Sequence, residues 1–184
     1  MKLLYRLAEE ADFQEILSVQ NLSLQILLSS SLEEDVLDAL IKHQHHQRSM
    51  RNELMVVAVC NEKIIGFIAL LLKGGQISGL YVHPDFVRQG IGSELLRAVI
   101  DILDSQKHRN VYVLSSEYAK PFYRHNGFRS YSSRYMLLGR HLKVRTFWMR
   151  KQIQPPSPEE KQRNAIALIV LVILAVIGVA AALS

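Results

Sequence analysis

The densest chemistry in the chain lies between Leu80 and Leu96. There an apolar stretch runs into Arg88-Gln89-Gly90-Ile91-Gly92-Ser93, and a helical pattern begins at that loop. The first turn of a helix presents unpaired N–H groups and the positive end of the macrodipole. Glycines let a phosphate approach the backbone without meeting a Cβ, and Arg88 adds a permanent cation. The chemistry on offer is the binding of a pyrophosphate. A tight turn that needs two glycines accounts for the same letters, and this reading stays open. A dinucleotide-binding fingerprint fails because Leu95 stands where its third glycine belongs, and the chain has no Gly-Lys-Ser/Thr phosphate loop. His43 and His46 share a helix face without a carboxylate or cysteine one turn away, so a polar helix end is expected there and no metal.

The elements that would position this loop follow from the pattern on either side. A strand near Leu3–Ala8 leads to a helix opened by Asp12 and Glu15 as a capping box. Ser31 and Glu34 open a second helix, with Val36, Leu37, Leu40 and Ile41 on one face. Leu54–Cys60 and Ile64–Leu72 read as strands joined by a hairpin at Asn61-Glu62-Lys63, and Gly74-Gly75 turns the chain into a third strand, Gln76–Val82. A helix over about Gly90–Ser105, a strand at Val111–Leu114 and a short helix at Ala119–His125 capped by Gly127 come next. Tyr135–Lys151 reads as a terminal hairpin.

With these pieces in order, the sequence resembles the GNAT family of N-acetyltransferases over roughly residues 3 to 150. The strand Leu80-Tyr81-Val82, Pro84 and the loop from Arg88 to Gly92 are similar to that family's acetyl-CoA motif. Ala119, Pro121, Phe122, Tyr123, Gly127 and Phe128 are similar to its second signature, and Arg6, Ala8 and Asp12 to its opening. The resemblance implies an α+β fold: a central, mostly antiparallel sheet, splayed between its fourth and fifth strands and flanked by helices. It implies that the pantetheine arm of acetyl-CoA pairs with Leu80, Tyr81 and Val82, and that N–H groups from Arg88 through Gln89, Gly90, Ile91 and Gly92 to Ser93 hold the pyrophosphate. Tyr123 would lie near the sulfur as general acid. Two positions depart from the family: Val87 stands where Arg or Gln is usual, and Ser116 where Asn is frequent. Both positions still belong to the expected cofactor site, Val87 through its backbone and Ser116 through its hydroxyl. No carboxylate stands at Gln76, Ser78 or Gly79 to act as base, so His83, Glu117 or an ordered-water relay must serve.

The chain has 184 residues and a formal net charge of +5. From Ala165 to Leu183 there are 19 consecutive residues without a charged or polar side chain. As a helix this run would span roughly 28 Å, close to a bilayer's hydrocarbon core of ~30 Å. Lys161 and Arg163 precede it, which favours a cytosolic N-terminal side. Met1–Tyr5 is too short an apolar run for a signal peptide, and Arg6, Glu9 and Glu10 follow at once. The single cysteine, Cys60, excludes an internal disulfide framework and reads as a buried strand residue. Three prolines between Gln154 and Pro158 mark the end of the domain.

The expected organisation is an N-acetyltransferase domain at 1–152, a Pro-rich juxtamembrane linker at 153–164 and a single transmembrane helix at 165–183. The expected function is acetyl-CoA-dependent transfer to an amine, on a small molecule or a protein, at the cytoplasmic face of a membrane. A non-catalytic acetyl-CoA sensor on the same fold is the alternative. A basic domain that binds nucleic acid near a membrane is weaker, because scattered Tyr, Lys and Arg make no nucleic-acid signature, and no nucleic-acid partner is expected.

Overall fold

In the computed structural model, residues 3–30, 32–50, 52–138, 143–155, 158–159 and 162–163 are described. The chain divides into two compact units, 1–153 and 154–184. The first unit contains a seven-stranded sheet in the order β1-β2-β3-β4-β5-β7-β6. Its strands are β1 (Leu3–Leu7), β2 (Leu54–Cys60), β3 (Lys63–Leu71), β4 (Gln76–Val82), β5 (Asn110–Ser116), β6 (Arg129–Leu137) and β7 (Lys143–Gln152). All neighbours pair antiparallel except β4 and β5, which are parallel.

The β2–β3 turn has the expected cause. Asn61 and Glu62 take φ values of 47° and 65°, the left-handed pair that a two-residue hairpin turn requires. Helix α3 (Ile91–Ser105) buries Ile91, Leu95, Leu96, Val99 and Leu103 along one stripe. That stripe packs on Ile68, Leu70, Ile77, Val111 and Met149, the larger of the cores on the two faces of the sheet. Each such leucine contributes about 1.5–3 kcal/mol by leaving water. On the other face, helix α1 (Phe13–Leu28) sets Ile16 and Val19 against Val57, Phe67 and Ala69. Helix α2 (Glu34–Met50) joins α1 through Leu24, Leu28, Leu37 and Leu40.

The first helix start differs from expectation. Asp12 accepts Arg6 Nη1 at 2.6 Å and Nη2 at 2.9 Å, and it caps the Glu9 N–H at 2.7 Å. The capping box is therefore Glu9 with Asp12, around a 3-10 turn that precedes α1. The Arg6 guanidinium holds the Asp12 carboxyl below its ordinary range. Glu15 instead reaches across to accept the Ile64 N–H at 2.9 Å. The terminal hairpin also begins earlier than expected, at Arg129. Ser31 and the apolar run 165–183 lie outside the described residues. Among the described residues no helix is long and apolar enough to cross a membrane.

Candidate functional site

The pairing of β4 explains why a ligand could enter the sheet. On one side it follows β3 from Gln76 to Val82, with a bulge that leaves Ser78 unmatched between Ile77 and Gly79. On the other side only Gln76 and Ile77 pair with β5, so the two strands part company beyond Ile77. The His83 N–H bonds to Ile65 of β3 at 2.8 Å. Antiparallel alternation then turns the N–H and C=O groups of Leu80 and Val82 away from β3, into the split. The Val82 carbonyl there accepts the Ser23 hydroxyl at 2.9 Å.

The glycine loop lies between the end of β4 and α3. A 3-10 turn over Pro84–Phe86 leads into it, with Val87 extended and Arg88 at φ 63°. Gly90 is the N-cap of α3 at φ 82°, and a Cβ placed on it would meet nothing within 4 Å. Glycine is therefore required there by the backbone angle, while the space beside it is open. Arg88 and Gln89 are exposed, whereas Ile91 is buried in the core and can contribute only its backbone. The Ser93 N–H already points to Gly90 O at 3.0 Å, which makes it the least available of the expected donors. A Cβ on Gly92 would lie 3.4 Å from the Phe122 ring and 3.5 Å from Leu80, so β4, α3 and the next helix meet at that one point.

That next helix, α4 (Lys120–His125), is short and held at both ends. The Ser116 hydroxyl accepts the Ala119 N–H at 3.2 Å at its entry. At its exit the Gly127 N–H bonds to Arg124 O and the Phe128 N–H to Tyr123 O, both at 3.0 Å, with Gly127 at φ 86°. This is the two-bond closure that glycine permits after a helix. Tyr123 is 4% exposed and packs edge-on against Phe122 and Phe128. Burial, with Tyr81 nearby, pushes its phenol well above the ordinary range, so it stays protonated. Tyr81 stacks on Phe67 at 5.4 Å, and burial raises its phenol too.

A buried polar group on the α1–α2 side had no readable signal in the sequence. Arg48 of α2 forms an ion pair with Glu53, and both side chains are almost fully enclosed. Its Nε donates to Gln20 Oε1 at 3.0 Å, and its guanidinium stands 5.1 Å from the centre of the Phe67 ring. A Cβ on Gly79 would run into this guanidinium and into the Tyr81 ring, so Gly79 exists to admit the cation. Neither Arg48 nor Glu53 stands in a local motif; only the missing Cβ on a strand some thirty residues later makes room to bury them. Gln20 Nε2 and Ser78 Oγ are buried nearby without a protein partner. Glu53→Gln would leave a buried cation uncompensated and should cost about 3–5 kcal/mol of stability. The double variant Arg48→Met/Glu53→Leu should cost less than Glu53→Gln alone, read from denaturant midpoints. A larger loss in the double would mean that the pair itself holds this face together.

The expected bases fare differently. His83 Nδ1 accepts the Asp85 N–H at 3.3 Å, and the ring packs edge-on against Phe86, so it shapes the turn before the loop. Glu117 is exposed, and Cys60 is buried in β2. Among the described residues no three of His, Cys, Asp and Glu gather as a metal site would require.

A family model described as an acetyltransferase (GNAT) domain matches residues 17–139. Among solved structures, a GCN5-related N-acetyltransferase from Rhodopseudomonas palustris superposes with a TM-score of 0.74 at 20% identity, covering 83% of this chain and 96% of that one. The PaiA N-acetyltransferase of Thermoplasma acidophilum, solved with coenzyme A, gives 0.66 at 18% identity over 83% and 99%. The ribosomal-protein-S18-alanine N-acetyltransferase of Escherichia coli gives 0.64 at 16% identity over 85% and 97%. No curated protein matches the chain.

Proposed function

The chain belongs to the GNAT acetyltransferase family, and from that premise we propose that it transfers an acetyl group from acetyl-CoA to an amine. The observation that carries this reading is the meeting of Leu80, Gly92 and Phe122 beside Tyr123, where the unpaired edge of β4 reaches the glycine loop. The residues fit acetyl-CoA. Leu80 would pair with an amide-bearing arm, while Arg88 and the N–H groups at Gly90–Gly92 would hold the pyrophosphate. Acetyl-CoA supplies an acyl group on a thioester, whose carbon the neutral amine attacks as the C–S bond breaks. The Val82 N–H would hold the charge that develops on the carbonyl oxygen. Tyr123, kept protonated by burial, would give its proton to the departing thiolate and recover one from solvent.

The amine must also lose a proton. With His83 engaged in its turn and Glu117 at the surface, an ordered-water relay is the reading we favour. Gln20 Nε2 and Ser78 Oγ, buried and without protein partners, suit waters of such a relay. The apolar run 165–183 supports a membrane anchor, with the domain on the cytoplasmic side.

The test is CoA release from acetyl-CoA by the full chain with a panel of polyamines, aminoglycosides, amino acids and peptides. Amine-dependent release is expected from protein in a membrane fraction that resists alkaline extraction. Tight acetyl-CoA binding without release for any amine would favour the sensor reading, to which the carboxylate-free β4 lends support. Full recovery in the soluble fraction would remove the anchor and leave the transferase reading intact.

A further inference from the structure

The outer strands carry a charge pattern that acetyl transfer does not call for. From Tyr118 to Pro158 the chain has nine Lys and Arg and no Asp or Glu. These residues include all of β6 and β7. The sheet register sets Ser132 beside Trp148 and Arg129 beside Arg150. The Arg134 guanidinium stands 5.3 Å from the centre of the Trp148 ring, and that of Arg150 stands 6.0 Å from the centre of Tyr131. Arg129, Arg134, Arg150 and Tyr131 are exposed and Trp148 is half-buried. Helix α1, by contrast, packs on β3 and β4. Asp35 and Asp38 line an open groove with Leu138 beyond the tip of β6.

We propose that this β6–β7 face docks on an anionic lipid leaflet. A pair of long, largely exposed strands offers a broad surface to such a partner. Among the described residues Arg129, Arg134 and Arg150 form no ion pair with a carboxylate, so they can neutralise lipid phosphates and carboxylates. Tyrosine and tryptophan suit the headgroup layer because each joins an apolar ring to a polar edge. The guanidinium groups lie over the rings of Tyr131 and Trp148, which leaves those ring faces poorly placed to stack on nucleotide bases. This favours a bilayer over RNA. The proposal rests in part on the anchor reading. Residues 153–164 would reach at most roughly 43 Å when fully extended, so an anchor at 165–183 would raise the local concentration of lipid headgroups around the domain.

Trp148 is the only tryptophan in the chain and lies in this face, so it reports directly. The full chain is mixed with phosphatidylcholine vesicles that carry a dansylated headgroup, with and without phosphatidylserine. Flotation and energy transfer from Trp148 are then both read. Transfer should rise with phosphatidylserine and fall with added salt. Arg134→Glu with Arg150→Glu should remove most of that rise and weaken association with the anionic vesicles by at least roughly 25-fold, taking about fivefold per arginine lost. Lys63→Glu, a charge reversal at a single exposed site where β3 leaves the β2–β3 turn, should lose none of it. A rise that is absent, or that Lys63→Glu abolishes equally, would overturn the proposal. So would a single-stranded RNA that binds the face and strips the rise at physiological salt. Flotation on pure phosphatidylcholine separates the two readings. Flotation with no serine-dependent transfer keeps the anchor and sinks the docking face. Flotation only on anionic vesicles, lost with the two arginines, does the reverse.

Discussion

Replacing Gly90 with aspartate is expected to weaken acetyl-CoA binding roughly 5- to 1,000-fold, because like charges ~4 Å apart repel by about 1–4 kcal/mol between water and a protein-surface dielectric. Two effects are mixed in that variant. Gly90 is at φ 82°, so any side chain strains the backbone, and the added carboxylate faces the open space where a pyrophosphate would sit. Gly90→Asn separates them, since asparagine tolerates the left-handed region and carries no charge. The expected order of affinity by calorimetry is wild type, then Asn with a modest loss, then Asp with a large one. Equal affinity for Asn and Asp would mean that no anion approaches Gly90. Val87→Arg should be neutral or mildly favourable, because Val87 already precedes the loop in extended backbone.

Tyr123→Phe is expected to lower turnover by about 10²–10⁴-fold while leaving acetyl-CoA affinity nearly unchanged. The hydroxyl is needed only as the thiolate leaves, so its loss removes transition-state stabilisation and little of ground-state binding. The ring contacts with Phe122 and Phe128 persist in the variant, and the Tyr123 carbonyl still receives the Phe128 N–H. Packing should therefore survive, and an unchanged melting profile checks it. Burial raises the phenol's pKa, so the wild-type enzyme should show no falling limb from Tyr123 through the ordinary phenol range near ~10. The rate should instead rise with pH as the acceptor amine loses its own proton. Equal turnover for both proteins, with chemistry shown to limit, would remove Tyr123 from the reaction.

The parts of this site that could be read beforehand are those fixed by local chemistry. Gly90 and Gly127 mark positions where the backbone must turn left-handed, and both do. The β2–β3 turn and the whole of β4 follow from short-range pattern in the same way. The Glu9–Asp12 capping box is not legible locally, because Asp12 answers to Arg6 as well as to the Glu9 N–H. The Arg48–Glu53 pair is not legible either, because its burial depends on Gly79 and Gln20, which no local window contains. The place of β7 between β5 and β6 is likewise a tertiary fact, since each strand's own letters fit either order.

That interleaving bears on how the chain assembles. β5 and β6 are nearer in sequence to each other than β5 is to β7, yet they never pair; both wait for the strand that comes last. Strands β1 to β4 can close from local hairpins and an early long-range pairing, whereas beyond the split β5 is held only by its short pairing with Gln76 and Ile77, and β6 by nothing, until Lys143–Gln152 has been made. The loop-closure entropy for that half falls due late, and until then β5 and β6 are open edges able to pair with other chains. A nascent chain halted between Leu138 and Gln152 would thus carry a formed first half beside one strand with an open outer edge and one unpaired strand, and it is this species, more than the finished domain, that a chaperone would need to shield.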